Sequence, residues 1–237
     1  MEEEKEVNER VPTGIDGLDE MLNGGIPKGH VFTVMGSFGT GKTTFSLNYL
    51  WEGLQKGENC IFISLEEDRD AMIETGHAYG WDFKKYIDDE QLVVEKLAPE
   101  DADATIHKIS NDLPEYIKQF GAERIAMDSV SLLNMMSDDP QEKRKRLFSL
   151  CQKMKESGAT TLLTAEVKDD NPMSSRDGLV EYTADGVILL RYNQSDMEEI
   201  QMSIQVIKMR RIEHSRKIKP YEITDSGIVV QTEGAVF

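Results

Sequence analysis

The residues with the clearest chemical potential are Gly36-Ser37-Phe38-Gly39-Thr40-Gly41-Lys42-Thr43, which fit the spacing G-x-x-x-x-G-K-[ST] of a P-loop. Glycines at this spacing let successive backbone N–H groups converge on phosphate oxygens, and a helix N-terminus adds a partial positive charge. Lys42 can reach β- and γ-phosphates, and the Thr43 hydroxyl can ligate Mg²⁺. The run Gly36–Thr44 is therefore the candidate cradle for a nucleoside triphosphate, with ATP and Mg²⁺ as the expected cofactors. The alternative is a glycine-rich turn that happens to contain a lysine. The flanks argue against it: apolar His30–Met35 reads as a strand, and Phe45, Leu47, Tyr49, Leu50 and Leu54 recur at helical spacing after the motif.

Three carboxylates extend the set. Asp128 closes the short apolar strand Arg124–Met127, the place from which an aspartate holds the Mg²⁺ shell. A strand-ending Asp can equally cap a turn. Glu66 and Glu67 end the strand Asn59–Leu65, and in a doubly wound sheet the strand C-termini share one edge, near the phosphates. A carboxylate there can polarise a water for in-line attack on the γ-phosphate. Adjacent residues at a strand end point in opposite directions, so at most one of the pair is expected to contact that water. The alternative is an ordinary solvated acidic loop.

One basic island stands out in an acidic chain: Lys208–Lys219 holds six Lys or Arg in twelve residues. On an extended chain Lys208 and Arg210 project from the same side and should stand at the rim of the sheet. Three readings compete: a solvated hairpin, a nucleic-acid strip, or cations delivered to the γ-phosphate of a neighbouring subunit.

The elements that must position these groups are legible as periodicities. A short helix spans Ile15–Leu22 and stops at Asn23-Gly24-Gly25. Helices are predicted near Arg69–Tyr79, Thr105–Phe120 (interrupted at Pro114) and Gln141–Glu156, with Asp138-Asp139-Pro140 as the last one's start. Leu92–Leu97, Thr160–Val167 and Gly186–Tyr192 read as further strands. Apolar strands alternating with helices imply an α/β fold with a mainly parallel sheet covered on both faces. The alternation in Ile200–Val206, then Tyr221–Thr224 and Ile228–Gln231, implies a C-terminal antiparallel extension. Asp169–Gly178 is a polar loop where a regulatory or substrate contact could sit.

With 237 residues and no internal repeat, the expected organisation is a loosely ordered acidic N-terminus, 1–10, and a single domain, 11–237. No apolar run reaches the ~18 residues of a membrane span, and the acidic start has no apolar signal core. Cys60 and Cys151 read as core thiols, and His30, His77 and His107 lack partners at metal spacing. A cytoplasmic location is the expectation. A net charge of −17 argues against a general binder of phosphate backbones.

The ordered set of Pro12-Thr13-Gly14-Ile15-Asp16-Gly17-Leu18-Asp19, Gly24–Gly29, the P-loop, Ser64-Leu65-Glu66-Glu67, Gly80-Trp81-Asp82, Asp128-Ser129-Val130, Lys208-Met209-Arg210 and Ile223–Gly227 resembles the KaiC branch of RecA-superfamily ATPases. It is most similar to single-domain KaiC-like proteins of archaea, from about Val11 to Val230. The resemblance implies a RecA-like P-loop fold and a hexameric ring of identical subunits with ATP between them. It implies catalytic roles for Lys42, Glu66 and Glu67. It further implies that Lys208, Met209 and Arg210 contact nucleotide from the adjacent subunit, with His214 and Asp225 helping from that side. Where the clock proteins' second domain carries a phosphorylated Ser-Thr pair, this chain has Glu181-Tyr182, so autokinase activity is not expected.

The expectation is a ring-forming, Mg²⁺-dependent ATPase with a regulatory or signalling use and a protein client that the sequence does not name. The alternatives are a RecA-like, nucleic-acid-dependent ATPase and a nucleotide-gated scaffold with negligible turnover.

Overall fold

The computed structural model describes residues 9–97, 105, 107–135, 139–168, 171–194 and 200–232. Residues 1–8, Asp138 and Asp169–Asp170, for which expectations are stated above, lie outside this set. The apolar runs become a nine-stranded sheet: β3 (Val31–Gly36), β4 (Cys60–Ser64), β5 (Leu92–Lys96), β6 (Arg124–Asp128), β7 (Thr160–Glu166), β8 (Gly186–Gln194), β9 (Ile200–Met209), β10 (Lys219–Thr224) and β11 (Gly227–Val230). Their spatial order is β11-β10-β9-β8-β3-β7-β6-β4-β5. Strands from β8 to β5 pair in parallel, and β9, β10 and β11 add antiparallel neighbours. The α/β class and the terminal antiparallel extension are thus as expected. A two-stranded ribbon of β1 (Arg10–Val11) and β2 (Ile26–Pro27) was not anticipated.

Parallel strands buried on both faces need helices on both sides. Phe32 and Val34 of β3 join a core with Phe45, Leu47 and Leu50 from one face. Val31 and Met35, one residue out of phase, join Ile125, Leu147, Leu150 and Met154 on the other. The helices are α1 (Leu18–Met21), α2 (Lys42–Gln55), α3 (Arg69–Ala78), α4 (Phe83–Asp88), α5 (Leu113–Phe120), α6 (Val130–Met135), α7 (Pro140–Ser157) and α8 (Val180–Thr183). The segment around Pro114 is irregular but unbroken: a π-helical turn, Lys108–Asp112, runs directly into α5, which carries the proline in its first turn. Asp139 caps α7 by accepting from Gln141 N at 2.9 Å.

Candidate functional site

The P-loop turns at the top of β3, the central strand. β7 and β8 flank β3 and hold it in register: Gly36 lies beside Glu166, and Met35 beside Leu189. Gly41, with φ +81, sits in the left-handed region at the start of α2, and a Cβ there would lie 2.7 Å from Ile223 Cδ1. A side chain is excluded both by conformation and by space, so the loop backbone can close around a small anion. Thr40 ties the loop to itself through Oγ1 to the Ser37 carbonyl at 2.8 Å, and its own carbonyl accepts from Tyr221 Oη at 2.6 Å. Phe38 stands 85% exposed at the tip.

Lys42 Nζ donates to the carbonyls of Gly36 at 3.0 Å and Ser37 at 2.9 Å. Burial lowers its pKa, opposed by the carboxylates of Asp128, Glu166 and Glu66. Thr43 Oγ1 donates to Asp128 Oδ2 at 2.6 Å, and Thr164 Oγ1 holds the other oxygen of the same carboxylate. A hydroxyl and a carboxylate in this contact form an oxygen donor set of the kind Mg²⁺ takes. Thr43 and Asp128 therefore fit the ion.

The strand-end pair is turned by Ser64, whose hydroxyl accepts from Glu66 N at 3.2 Å and Glu67 N at 2.8 Å. The two side chains differ as expected of neighbours: Glu66 is exposed, whereas Glu67 is half-buried, with Oε2 enclosed and making no hydrogen bond. Both carboxyls are pushed above the usual range, first by burial. Asp128 and Glu166 add repulsion at Glu66, and Asp128, Glu66 and Asp68 at Glu67. A buried oxygen without a partner next to a phosphate cradle is a place for a water or a substrate atom.

Glu166 was not singled out from the sequence, although it ends a strand as Glu66 and Asp128 do. It lies opposite Gly36 and pairs with Arg176 Nη1 at 2.8 Å. Its N–H donates to Ser131 Oγ at 2.8 Å, and its carbonyl accepts from Arg176 N at 2.8 Å, fastening part of the polar loop to the phosphate edge. The strand-end position was the signal that marks it.

Lys208 and Arg210 are at the other edge of the sheet. β9 runs antiparallel to β8, so Met209 lies opposite Gly186, which lies beside Phe32. Phe32 is four residues before Gly36, about 13 Å along the strand. Both cations do face one way, onto the segment before β8. Lys208 Nζ donates to the Glu181 carbonyl at 2.8 Å, and Arg210 Nη2 to the Tyr182 carbonyl at 3.3 Å. Burial lowers the pKa of Lys208, with Arg210 adding repulsion. His214 follows in the loop, with Nδ1 3.1 Å from the Ser215 carbonyl.

Asp225 is placed differently from Lys208 and Arg210. Its turn between β10 and β11 packs on α2 of its own chain, where Ile228 N donates to Asn48 Oδ1 at 3.2 Å. It thus lies by the chain's own P-loop helix, away from the edge that carries Lys208 and Arg210. The antiparallel return of β10 brings it back to the phosphate side.

A family description reading "ATPase: KaiC" matches residues 11–235. An uncharacterised-family protein of Aeropyrum pernix, UPF0273, is 35% identical over 96% of this chain and 96% of its own length. The circadian clock oscillator protein KaiC of Prochlorococcus marinus is 34% identical over 96% of this chain and 46% of its own length, so the chain spans about half of that relative. In three dimensions the chain is similar to the crystal structure of a KaiC-like protein from Pyrococcus horikoshii, with a TM-score of 0.83 and 32% identity over 94% of this chain and 99% of that one. The breadth of the family match, together with a P-loop built as described, identifies the chain as a member of the KaiC family of ATPases.

Proposed function

We propose that this chain, as one domain over residues 11–237, binds Mg²⁺-ATP and hydrolyses it at sites completed by a second copy of itself, in a closed ring of identical subunits.

 The observation that carries this reading is the split of charge between two sheet edges. The P-loop edge gathers Lys42, Thr43, Asp128, Glu66, Glu67 and Glu166, whereas Lys208 and Arg210 stand on the opposite edge, too far along the strand to serve their own P-loop. When one copy's basic edge meets the next copy's phosphate edge, the contact is heterologous, and repeated contacts of that kind form a ring where the rotation between copies closes. A hexamer is the ring size we propose.

The residues divide the work as follows. The backbone of Gly36–Thr44 and Lys42 hold the phosphates, exchanging the Gly36 and Ser37 carbonyls for the ligand at Lys42 Nζ. Thr43 and Asp128 would hold Mg²⁺, which would supply charge neutralisation to the phosphates. Glu66 or Glu67 accepts a proton from the attacking water as its oxygen bonds to the γ-phosphorus and the bond to the ADP oxygen breaks. Lys208 and Arg210 of the adjacent copy balance the charge on the transferring group, with Met209 and His214 lining that side and Asp225 contributing from the P-loop side. By the resemblance Glu181-Tyr182 stand where the clock proteins' second domain carries its Ser-Thr pair, and Glu181 accepts from Ser174 Oγ at 2.7 Å, which supports a protein without autokinase activity.

Two buried free thiols, Cys60 and Cys151, fit a reducing cytoplasm. The product of the reaction, ADP, and a protein client complete the expected partners. The nucleic-acid reading is disfavoured by the net charge of −17. The test is steady-state turnover beside ATP binding. Glu66→Gln/Glu67→Gln is expected to hold ATP and lose hydrolysis; unchanged turnover in that double variant refutes the assignment.

A further inference from the structure

Among the described residues, Asp185 is the most heavily engaged carboxylate at the basic edge. It is 8% exposed, in the Ala184-Asp185-Gly186 turn that leads into β8. Its Oδ2 accepts from Val31 N, the first residue of the P-loop strand, at 3.2 Å. Its Oδ1 is shared by Lys155 Nζ at 2.8 Å and Arg210 Nη1 at 3.3 Å. Its main chain repeats the pattern: Asp185 N donates to the Val31 carbonyl at 2.7 Å, and Arg210 N donates to the Asp185 carbonyl at 2.9 Å.

Side chain and backbone together therefore clamp Arg210 to the base of the strand that carries the chain's own P-loop. Burial alone would push this carboxyl up, but Lys155 and the Val31 N–H outweigh it and hold it below the usual carboxylate range. It stays ionised and able to orient a guanidinium. A half-exposed arginine loses rotamer freedom when it is fixed, and doing so in advance removes that cost from the transition state.

We propose that Asp185 is the positioning residue for Arg210, setting the direction in which the guanidinium is presented to the neighbouring copy's γ-phosphate. This rests on the shared-site reading above. Asp185 touches no substrate; it acts through Arg210.

The test is turnover of folded, assembled protein with Mg²⁺-ATP. Asp185→Asn is expected to lower kcat about tenfold to a hundredfold with KM for ATP within about twofold, because the nucleotide cradle is untouched. Asp185→Glu, which keeps the charge one methylene further out, should lose less. Mixing supplies the readout that a purely structural role would not move. Glu66→Gln/Glu67→Gln subunits carry an intact basic edge and a dead hydrolytic edge, and Asp185→Asn subunits the converse. In mixed rings about one interface in four combines both intact halves, so activity should rise above that of either variant alone.

Arg210→Ala mixed in the same way is the control. If Arg210→Ala is restored and Asp185→Asn is not, Asp185 serves the fold and the inference falls while the shared site stands. Wild-type turnover in Asp185→Asn, or failure of both Asp185 variants to fold, also overturns it. If Arg210→Ala is not restored, the shared site itself is wrong and the inference falls with it.

Discussion

The paired glutamates show how two adjacent residues of one type acquire different environments. Ser64 turns the chain under both, leaving Glu66 the more exposed of the two and one Glu67 oxygen enclosed without a partner. Both are held above the ordinary glutamate value of 4.5. A carboxyl raised in the folded state destabilises the fold where it is ionised, and that destabilisation disappears as pH falls through the raised value. Glu66→Gln/Glu67→Gln should therefore raise the Tm at neutral pH, and the gain should shrink on acidification towards 4.5. Calorimetry across that window checks the sign; a gain that grows on acidification contradicts it. Wild-type turnover should fall through the same window, since the base must be ionised. At the pair proposed for Mg²⁺, Asp128→Asn should weaken the apparent Mg²⁺ affinity by about ten- to a hundredfold, read from a Mg²⁺ titration of turnover.

At the scale of elements, the site is held by long-range bonds between strands and helices. Arg124, 0% exposed, pairs with Glu58 and donates from Nη1 to the carbonyls of Pro12 at 2.7 Å and Tyr49 at 2.9 Å. It joins β6, α2 and the N-terminal segment. Arg124→Ala leaves Glu58 and two carbonyls without their partner and should cost about 3–5 kcal/mol, measured by urea unfolding. Tyr221→Phe removes the bond to the Thr40 carbonyl and should cost about 1–2 kcal/mol while loosening the P-loop. Strand and helix identities were legible because each has its own apolar period, which needs no knowledge of partners. The P-loop was legible because its chemistry is contiguous. The short helices α4, α6 and α8 were not, since four to six residues barely exceed one turn, whereas the equally short α1 was marked by its Asn23-Gly24-Gly25 stop. Glu166 and Asp185 were missed for another reason. Their partners, Arg176, Lys155, Val31 and Arg210, are brought to them by sheet register and loop path, neither of which a one-dimensional pattern contains.

For the whole molecule, the two sheet edges are chemically complementary. One presents carboxylates around the phosphate cradle with Phe38 exposed at its tip; the other presents Lys208 and Arg210 beside Tyr182, 75% exposed. The antiparallel register of β8 and β9 decides which edge carries the cations, so the sequence motif Lys-x-Arg alone left three readings open. Opposite charge on two faces of one chain favours head-to-tail association over a two-fold dimer. ATP bridging such a contact would add stability to the assembled form by mass action, whatever the turnover. The most direct measurement is solution mass by light scattering, with and without Mg²⁺-ATP, on wild type and Lys208→Ala/Arg210→Ala. The shared-site account predicts that ATP drives the wild type to a ring near six subunits, and that the double variant fails to assemble or to hydrolyse. A protein that stays monomeric and hydrolyses ATP equally well in both forms would contradict it.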